Sequence, residues 1–253
     1  MLVPNRKVFA LMPWFWTPRR SDASELMDIP GLPEAEVAEA YQVLRVVNIQ
    51  LGNLRTVRRE ARRLLDEDGP WRPDEDVSLL DVGSGSGDLP RALGDWIERR
   101  GRRASVSALD RDALAVTFAR RSGLAVVRGD SLRIPFGDAS IDLVTAVKFA
   151  HHFSGESLLR LVAEMARVAK RRVLILDIQR HWFAYYGFIA WSRIFTRSRL
   201  IRHDGPLSVL KGFTATELQS LGDFVPEFEW TVRSYVGFQL ALVGRRVRKA
   251  GGQ

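Results

Sequence analysis

Residues 79–88 read Leu-Leu-Asp-Val-Gly-Ser-Gly-Ser-Gly-Asp. The apolar run that ends at Val82 is typical of a buried parallel strand, and the three glycines allow the backbone to turn sharply and approach a ligand closely. The glycines follow the spacing G-x-G-x-G, whereas a dinucleotide-binding loop has G-x-G-x-x-G. The stretch therefore predicts a strand, a ligand-binding turn and the start of a helix, and it disfavours a nicotinamide-dependent dehydrogenase.

Strands and helices alternate along the chain on both sides of this turn. Short apolar runs predict five strands, at 77–82, 104–109, 124–128, 141–147 and 173–178. Helical segments are expected between them, at 89–100, 112–121 and 157–168. This alternation predicts an α/β fold with an open, doubly wound and mostly parallel sheet. Residues 228–236 and 239–247 alternate in polarity, which predicts a closing antiparallel hairpin.

The chain divides into two parts at a linker rich in proline and glycine. Residues 34–66 carry apolar side chains at three- and four-residue steps, with a helix break expected at Gly52. Residues 66–73 cannot continue a helix because they contain two prolines and a glycine. We therefore expect an N-terminal helical cap or lid at 1–73 and a core at 74–253. Helix periodicity is lost at 180–211, which we interpret as an aromatic-rich insertion.

Acidic residues follow the first three predicted strands. Asp81 precedes the glycine turn and could hold an amino group, directly or through water. Asp110 follows the second strand, where a carboxylate can accept hydrogen bonds from both ribose hydroxyls. Asp130 follows the third strand and could accept from an adenine amino group. Together these residues suit S-adenosylmethionine, which has an amino group, a ribose and an adenine but no phosphate.

Over about residues 77–180 the sequence is similar to the class I S-adenosylmethionine-dependent methyltransferases. Residues 79–88, 108–110, 129–130 and 140–153 resemble four of their motifs, whereas 168–172 lacks the proline and glycines that many relatives have there. The resemblance implies a Rossmann-like seven-stranded sheet whose last strand is antiparallel, and S-adenosyl-L-methionine as the cofactor. The residues expected at the cofactor are Asp81, Gly83, Ser84, Gly85, Gly87, Asp110, Arg111, Gly129, Asp130, Ser131, Lys148 and Asn48.

Two segments outside this core resemble methyltransferases of type 11/25 from bacterial polyketide and phenolic natural-product biosynthesis. They are residues 44–53, Leu-Arg-Val-Val-Asn-Ile-Gln-Leu-Gly-Asn, and residues 202–208, Arg-His-Asp-Gly-Pro-Leu-Ser. This resemblance implies a small aromatic acceptor that is methylated on oxygen. It also implies that Asn48 and the N-terminal helices fold over the cofactor.

A base would assist methyl transfer to a phenol at neutral pH, because a phenol has a pKa of about 10 and stays protonated there. Histidine, with a pKa of about 6.5, is suited to this role. The chain has four histidines. His151 and His152 follow the fourth predicted strand, and His203 stands beside Asp204 in a predicted turn. We expect His152 or His203 to be the base, with Asp204 orienting it, although a packing or capping role for these histidines stays open. No group of side chains has convincing metal-ligand spacing, so no metal is expected.

The composition excludes some chemistry and leaves two other functions open. The absence of cysteine excludes disulfides, thiolate–metal sites and a cysteine nucleophile, and it fits a reducing cytoplasm. The net charge of +8 slightly favours a nucleic-acid methyltransferase. Against that function, no cysteine serves base C5 chemistry and no nucleic-acid-binding module is recognisable. A catalytically silent, methyltransferase-like binding subunit is the other alternative.

Two apolar segments have an open role. Residues 8–16 are a poor candidate for a signal peptide, because Pro13 and bulky tryptophans interrupt the apolar run. This segment could instead pack on the core, cover the active site or touch a membrane. Residues 182–195 are rich in aromatic side chains and could line an acceptor pocket, pack on the core or lie on a membrane surface. The oligomeric state is left open.

Overall fold

The computed structural model describes residues 17–67 and 76–247, which fold around one seven-stranded sheet. The strand order is β3-β2-β1-β4-β5-β7-β6, and β7 runs antiparallel to both of its neighbours while the other pairs are parallel. The predicted sheet with an antiparallel last strand is confirmed. The strands are β1 (Val77–Val82), β2 (Ala104–Asp110), β3 (Ala125–Arg128), β4 (Ile141–Val147), β5 (Ala169–Ile178), β6 (Phe228–Tyr235) and β7 (Gln239–Arg246).

Eight α-helices surround the sheet in the described part of the chain. They are α1 (Glu34–Gln50), α2 (Asn53–Glu67), α3 (Asp88–Glu98), α4 (Ala113–Arg121), α5 (Gly155–Val168), α6 (Trp182–Phe195), α7 (Arg199–Lys211) and α8 (Ala215–Gly222). The break expected at Gly52 separates α1 from α2, and its φ of 78° is one that glycine adopts readily. The predicted segments and these elements agree to within a few residues, except that β5 begins four residues early, where Ala169 already pairs with Ile141.

Two buried clusters cover the two faces of the sheet because successive strand residues point to opposite sides. Leu79 packs with α2 and α3 on one face, and Leu80 packs with α5 and α8 on the other. Helix α2 belongs to this core, since its Val57 and Ala61 are buried against the sheet. The boundary that we expect at 73/74 falls within residues 68–75, outside the described residues.

A third apolar cluster joins the remaining elements into a cap over one end of the sheet. It contains buried Ala40 of α1 and Leu200 of α7, with Leu26 and Phe188 packed against them. Leu26 belongs to residues 17–33, which we call the strap and which contain a single 3₁₀ turn (Leu26–Asp28). The region 180–211 is mostly helical, since it contains α6 and α7. The helical periodicity is obscured in the sequence because aromatic side chains lie on nearly every face of α6.

The predicted turn around His203 is wrong, because His203 and Asp204 lie within α7. Pro206 also lies inside this helix. Gly205 and Pro206 are typical of turns in a sequence, but burial of Leu200, Ile201 and Val209 on the cap favours the helix here. Across the described ranges, the helices are too short or too polar for any of them to cross a membrane.

Candidate functional site

A cavity of about 1030 Å³ opens at the carboxyl ends of the parallel strands. Its floor is formed by the residues that end β1, β2 and β4, and its roof by the strap, α1 and α6. Ligands bind at this edge in doubly wound sheets, because the loops that follow the strands diverge there. The fold therefore gathers residues from distant parts of the sequence around one space.

The glycine turn after β1 forms part of the cavity wall. Gly83 has a φ of 70°, and a Cβ atom there would lie 2.1 Å from the ring of Phe149. Gly83 and Gly85 line the cavity, and a Cβ on Gly85 would lie 3.1 Å from Tyr41. Gly87 instead packs beneath the turn, where a Cβ would lie 2.7 Å from Leu124. Each glycine thus has a separate steric reason to lack a side chain, and Gly87, which was expected at the cofactor, lies outside the cavity lining.

Two of the predicted acids, Asp81 and Asp110, lie on the cavity floor. Asp110 accepts the backbone N–H of Gly85 at 2.9 Å and that of Asp112 at 3.0 Å, so its carboxylate fixes the shape of the glycine turn. Asp81 accepts the hydroxyl of Thr145 at 2.5 Å. Burial raises the pKa of Asp110, and burial with the nearby charge of Asp110 raises the pKa of Asp81 to about 7.

Residues after β3 contribute to the cavity, but Asp130 does not. Gly129 and Ser131 line it, as does Arg111 after β2. Asp130 is exposed, and its carboxylate accepts the backbone N–H of Leu132 at 2.9 Å, so it shapes the following turn instead.

Ser84 has a hydroxyl oxygen that is buried without a hydrogen-bond partner among the described residues, although Ser84 lines the cavity. A buried hydroxyl that lacks a partner costs free energy unless a ligand supplies one. The unsatisfied hydroxyl is the feature expected where a polar ligand group binds.

Asn48 and Lys148 reach the cavity from opposite sides. The side chain of Asn48 on α1 is held by Asn53, whose Nδ2 donates to its Oδ1 at 2.8 Å. Lys148 follows β4 with a φ of 56°. Burial lowers the pKa of Lys148 to about 8, although the carboxylate of Asp177 opposes this shift.

Buried His151, which lines the cavity, forms a pair with buried Asp177. His151 Nδ1 lies 2.7 Å from Oδ1 of Asp177, the next-to-last residue of β5, and the backbone N–H of His151 donates to Oδ2 at 3.1 Å. On the other side of the ring, Nε2 lies 3.5 Å from Oε1 of Glu25 and has no hydrogen-bond partner in the described ranges. Burial alone would lower the pKa of His151, but Asp177 and Glu25 raise it to about 9.

His152 lines the cavity beside this pair and stacks on the ring of His151 at 4.5 Å. Its Nδ1 lies 3.1 Å from Oδ2 of Asp28 and its Nε2 lies 3.8 Å from Oε2 of Glu25. Ligand atoms of Glu25 and the two histidines lie within 4.8 Å of one another, close enough to surround a cation. Lys211 Nζ lies 3.4 Å from Oε1 of Glu25, so a cationic side chain already contacts this cluster.

The other pair expected from the sequence, His203 and Asp204, lies outside the cavity lining. His203 is half exposed, with Nδ1 2.7 Å from Asp204 Oδ1. Asp204 is buried and accepts the backbone N–H groups of Leu26 and Met27, which ties the strap to α7. The sequence analysis did not identify the roles of Asp177 and Glu25. The signal for Asp177 was present, since it is an acid at the carboxyl end of a buried parallel strand.

Comparisons with known proteins agree with this architecture. Residues 80–176 match the family model described as a methyltransferase domain. Over 105 residues, 39% of this chain, it is 33% identical to a Bacillus subtilis (strain 168) protein named uncharacterized methyltransferase YcgJ. The match spans 40% of that relative's length. The family match thus covers the strands and turns that form the floor of the cavity.

Solved methyltransferase structures share the fold at low sequence identity. The CMeT domain of the citrinin polyketide synthase has a TM-score of 0.62 and 12% identity, covering 82% of this chain and 56% of that one. Magnesium protoporphyrin IX methyltransferase from Synechocystis PCC 6803, solved with S-adenosylmethionine bound, has a TM-score of 0.53 and 13% identity, covering 87% and 100%. The expected Rossmann-like methyltransferase fold is confirmed.

Proposed function

We propose that this protein is an S-adenosylmethionine-dependent methyltransferase that methylates a hydroxyl group of a small aromatic acceptor. The observation that carries the proposal is that two sets of groups meet at one cavity. The glycine turn with Asp110 lies on its floor, and His151, which also lines it, is paired with the buried Asp177. The first set suits the cofactor and the second suits a proton acceptor for the second substrate.

The cofactor half fits S-adenosyl-L-methionine in its chemistry. Asp110 is placed to accept hydrogen bonds from ribose hydroxyls, and the unsatisfied Ser84 hydroxyl offers a partner to a polar group. Asp81 and Asn48 line the cavity and suit the amino-acid end, and we assign Arg111, Gly129 and Ser131, which also line it, to the adenine. Bound S-adenosylmethionine supplies an activated methyl group, so the chain mainly has to align the acceptor and remove its proton.

The acceptor half of the cavity suits a flat apolar molecule. Its lining includes the aromatic side chains of Phe149, Phe183, Phe188, Trp191 and Phe238. Aromatic rings stack on one another in offset or edge-to-face geometries, so such a lining favours an aromatic ring over a flexible polar chain. This composition supports a phenolic acceptor, including one of polyketide type.

His151 is the group best placed to take the proton of the acceptor. Asp177 holds Nδ1, which fixes the ring orientation and leaves Nε2 as the acceptor atom. Glu25 lies 3.5 Å from Nε2, so it is near enough to stabilise the proton once it has been transferred. A base with a pKa of about 9 is closely matched to a phenol, whose pKa is about 10. His152 faces the same cavity, but the carboxylate within hydrogen-bond distance of its ring, that of Asp28, is only partly buried.

Carbon methylation is a second candidate reaction. The same base could take a proton from an acidic carbon between two carbonyl groups, and the citrinin polyketide synthase CMeT domain has a similar fold. NMR of the methylated product separates the two reactions, because an O-methyl and a C-methyl group differ widely in chemical shift.

Calorimetric titration with S-adenosylhomocysteine tests the cofactor assignment. We expect micromolar binding by the unaltered protein and a loss of about 10- to 100-fold in Asp110→Ala, since hydrogen bonds to a charged group contribute about 1.5–3 kcal/mol. Asp130→Ala is the matched control, because that acid also follows a strand but is not part of the cavity lining. Absence of binding by the unaltered protein would contradict the proposal.

An acceptor screen then tests the reaction. Transfer of a labelled methyl group to phenols supports the proposal, whereas transfer to RNA or DNA alone would identify a nucleic-acid methyltransferase instead. Cofactor binding without transfer to any acceptor would favour a silent binding subunit.

A further inference from the structure

Helix α6 exposes a set of large apolar side chains. Phe183, Tyr186, Ile194 and Phe195 are between 59% and 72% exposed. Phe183, Tyr186 and Ile194 share one helix face with the exposed small residues Gly187 and Ala190. They do so because steps of three or four residues return to the same side of a helix. Contiguous exposed apolar surface in a globular protein is typical of a docking site.

This face continues into the mouth of the cavity. Ala184, Phe188 and Trp191 lie on the adjacent face of α6 and line the cavity, while Phe183 and Gly187 belong to both faces. Helix α6 is therefore part of the rim, with one side toward the acceptor and the other toward solvent.

Two further elements place exposed apolar side chains next to cavity-lining residues. Val236 is 96% exposed in the turn between β6 and β7, next to the cavity-lining residues Gly237 and Phe238. Ile49 is exposed on α1, next to cavity-lining Asn48, and Gln50 accepts the indole N–H of Trp191 at 3.1 Å. We call the exposed apolar side chains of α6, together with those of Val236 and Ile49, the apolar rim.

Arginines supply the charges along α6 and at the start of α7, where one of them, Arg199, pairs with Glu36 of α1 at 3.0 Å. Residues 182–203 contain four arginines and no aspartate or glutamate. Arg193 and Arg197 are exposed at the C-terminal end of α6. Apolar and aromatic side chains with flanking arginines are the composition that binds at an anionic lipid surface, where the rings lie at the level of the headgroups.

We propose that the apolar rim docks on an anionic lipid bilayer, so that the mouth of the cavity faces the membrane and an apolar acceptor enters from it. The direction of entry rests on the proposed function, whereas the docking itself does not. The helix lies along the surface: it has 14 residues, about 21 Å of length, which is shorter than the hydrocarbon thickness of a bilayer.

The charge pattern favours a bilayer over two other occupants. Residues 1–16 are apolar, but they contain Arg6 and Lys7 and no acid, so their charge repels that of the rim. A second copy of the chain would bring the same arginines together around a shared symmetry axis. Anionic phospholipids supply the opposite charge, and each arginine near the surface strengthens the attraction.

Sedimentation with lipid vesicles tests the proposal. The full chain is mixed with phosphatidylglycerol–phosphatidylcholine vesicles and, separately, with phosphatidylcholine vesicles. We expect binding to the anionic vesicles that weakens as salt is raised. The double variant Ile194→Glu, Phe195→Glu should lower the partition coefficient at least about tenfold, and Arg193→Gln, Arg197→Gln should remove most of the preference for anionic vesicles.

Phe224→Glu is the matched control, since Phe224 is as exposed as Phe195, at 65%, but follows α8 away from the cavity lining. Equal losses in the control and in the Ile194/Phe195 variant would overturn the proposal, as would no vesicle binding by the unaltered chain. A dimer that Ile194→Glu, Phe195→Glu converts to a monomer would assign the rim to self-association instead. S-adenosylhomocysteine titration of each variant reports on the cofactor site separately, so failure of the proposed function and failure of docking are distinguishable.

Discussion

His151 Nδ1 and Asp177 Oδ1 lie 2.7 Å apart, and both side chains are buried at the end of the cavity. The contact joins the turn after β4 to the last residues of β5, two strands that are adjacent in the sheet. A carboxylate on one ring nitrogen sets the tautomer and makes the other nitrogen the stronger base. The pair thus has the geometry of an oriented general base.

Replacing the histidine should remove base catalysis and leave cofactor binding intact. We expect His151→Asn to lower kcat by about 10²- to 10⁴-fold with a phenolic acceptor, the usual range for a general base. His203→Asn is the control, because His203 is half exposed and outside the cavity lining. Equal effects on kcat, or a loss of S-adenosylhomocysteine binding in His151→Asn alone, would argue against this role.

The rate should depend on the charge state of the same imidazole. The base must be neutral to accept a proton and its pKa is raised to about 9, so kcat should increase with pH up to about pH 9 and then level off. Glu25→Gln removes one of the carboxylates that raise this pKa, so the rising limb should move to lower pH. A profile that is unchanged in Glu25→Gln would show that another group controls the rate.

The glycine turn should not tolerate a methyl group at Gly83. Gly83→Ala places a Cβ atom 2.1 Å from the Phe149 ring, so the ring must move into the cavity, and affinity for S-adenosylhomocysteine should fall at least about tenfold. Gly101 has a similar positive φ, 78° against 70°, and no atom lies within 4 Å of the Cβ added in Gly101→Ala. It should cost about 1–2 kcal/mol of stability and leave the affinity unchanged. Equal affinities in the two variants would contradict the steric argument.

The strap should loosen when its anchor on α7 is removed. Asp204→Ala deletes the acceptor of two backbone hydrogen bonds from Leu26 and Met27, each of which contributes about 1 kcal/mol or more because the acceptor is charged. We expect Tm to fall by several degrees and KM for the acceptor to rise more than the Kd of S-adenosylhomocysteine. Asp223→Ala, on the surface at the end of α8, controls for loss of a carboxylate. If KM stays constant while Tm falls, the strap stabilises the fold without closing over the acceptor.

The parts of the site that could be predicted from the sequence are those encoded locally. Short-range sequence patterns predict the apolar strand and glycine turn at 79–88 and the acid that ends β2. The structure places that acid, Asp110, against the glycine turn as expected. Asp130 shows the limit of this reasoning. It follows β3 in the same way, but its side chain hydrogen-bonds forward in its own turn.

The acceptor side depends on contacts between distant residues, which single-sequence patterns do not record. His151 and His152 are neighbours in a 3₁₀ turn that gives them different partners, one 26 residues later in the chain and the other 124 residues earlier. Glu25 lies in the strap, where no hydrophobic periodicity signals structure. Its contact with Ser208 spans 183 residues of sequence.

The floor and the roof of the cavity are contributed by different stretches of the chain. The turns after β1 to β4 lie within residues 80–176, whereas the strap, α1 and α6 lie outside them. Under the proposed function, substitutions in the strap and these helices would alter the acceptor preference while the turns of the floor keep their sequence. Exchange of these peripheral segments between homologous proteins is accordingly a direct route to engineered enzymes with new acceptor ranges.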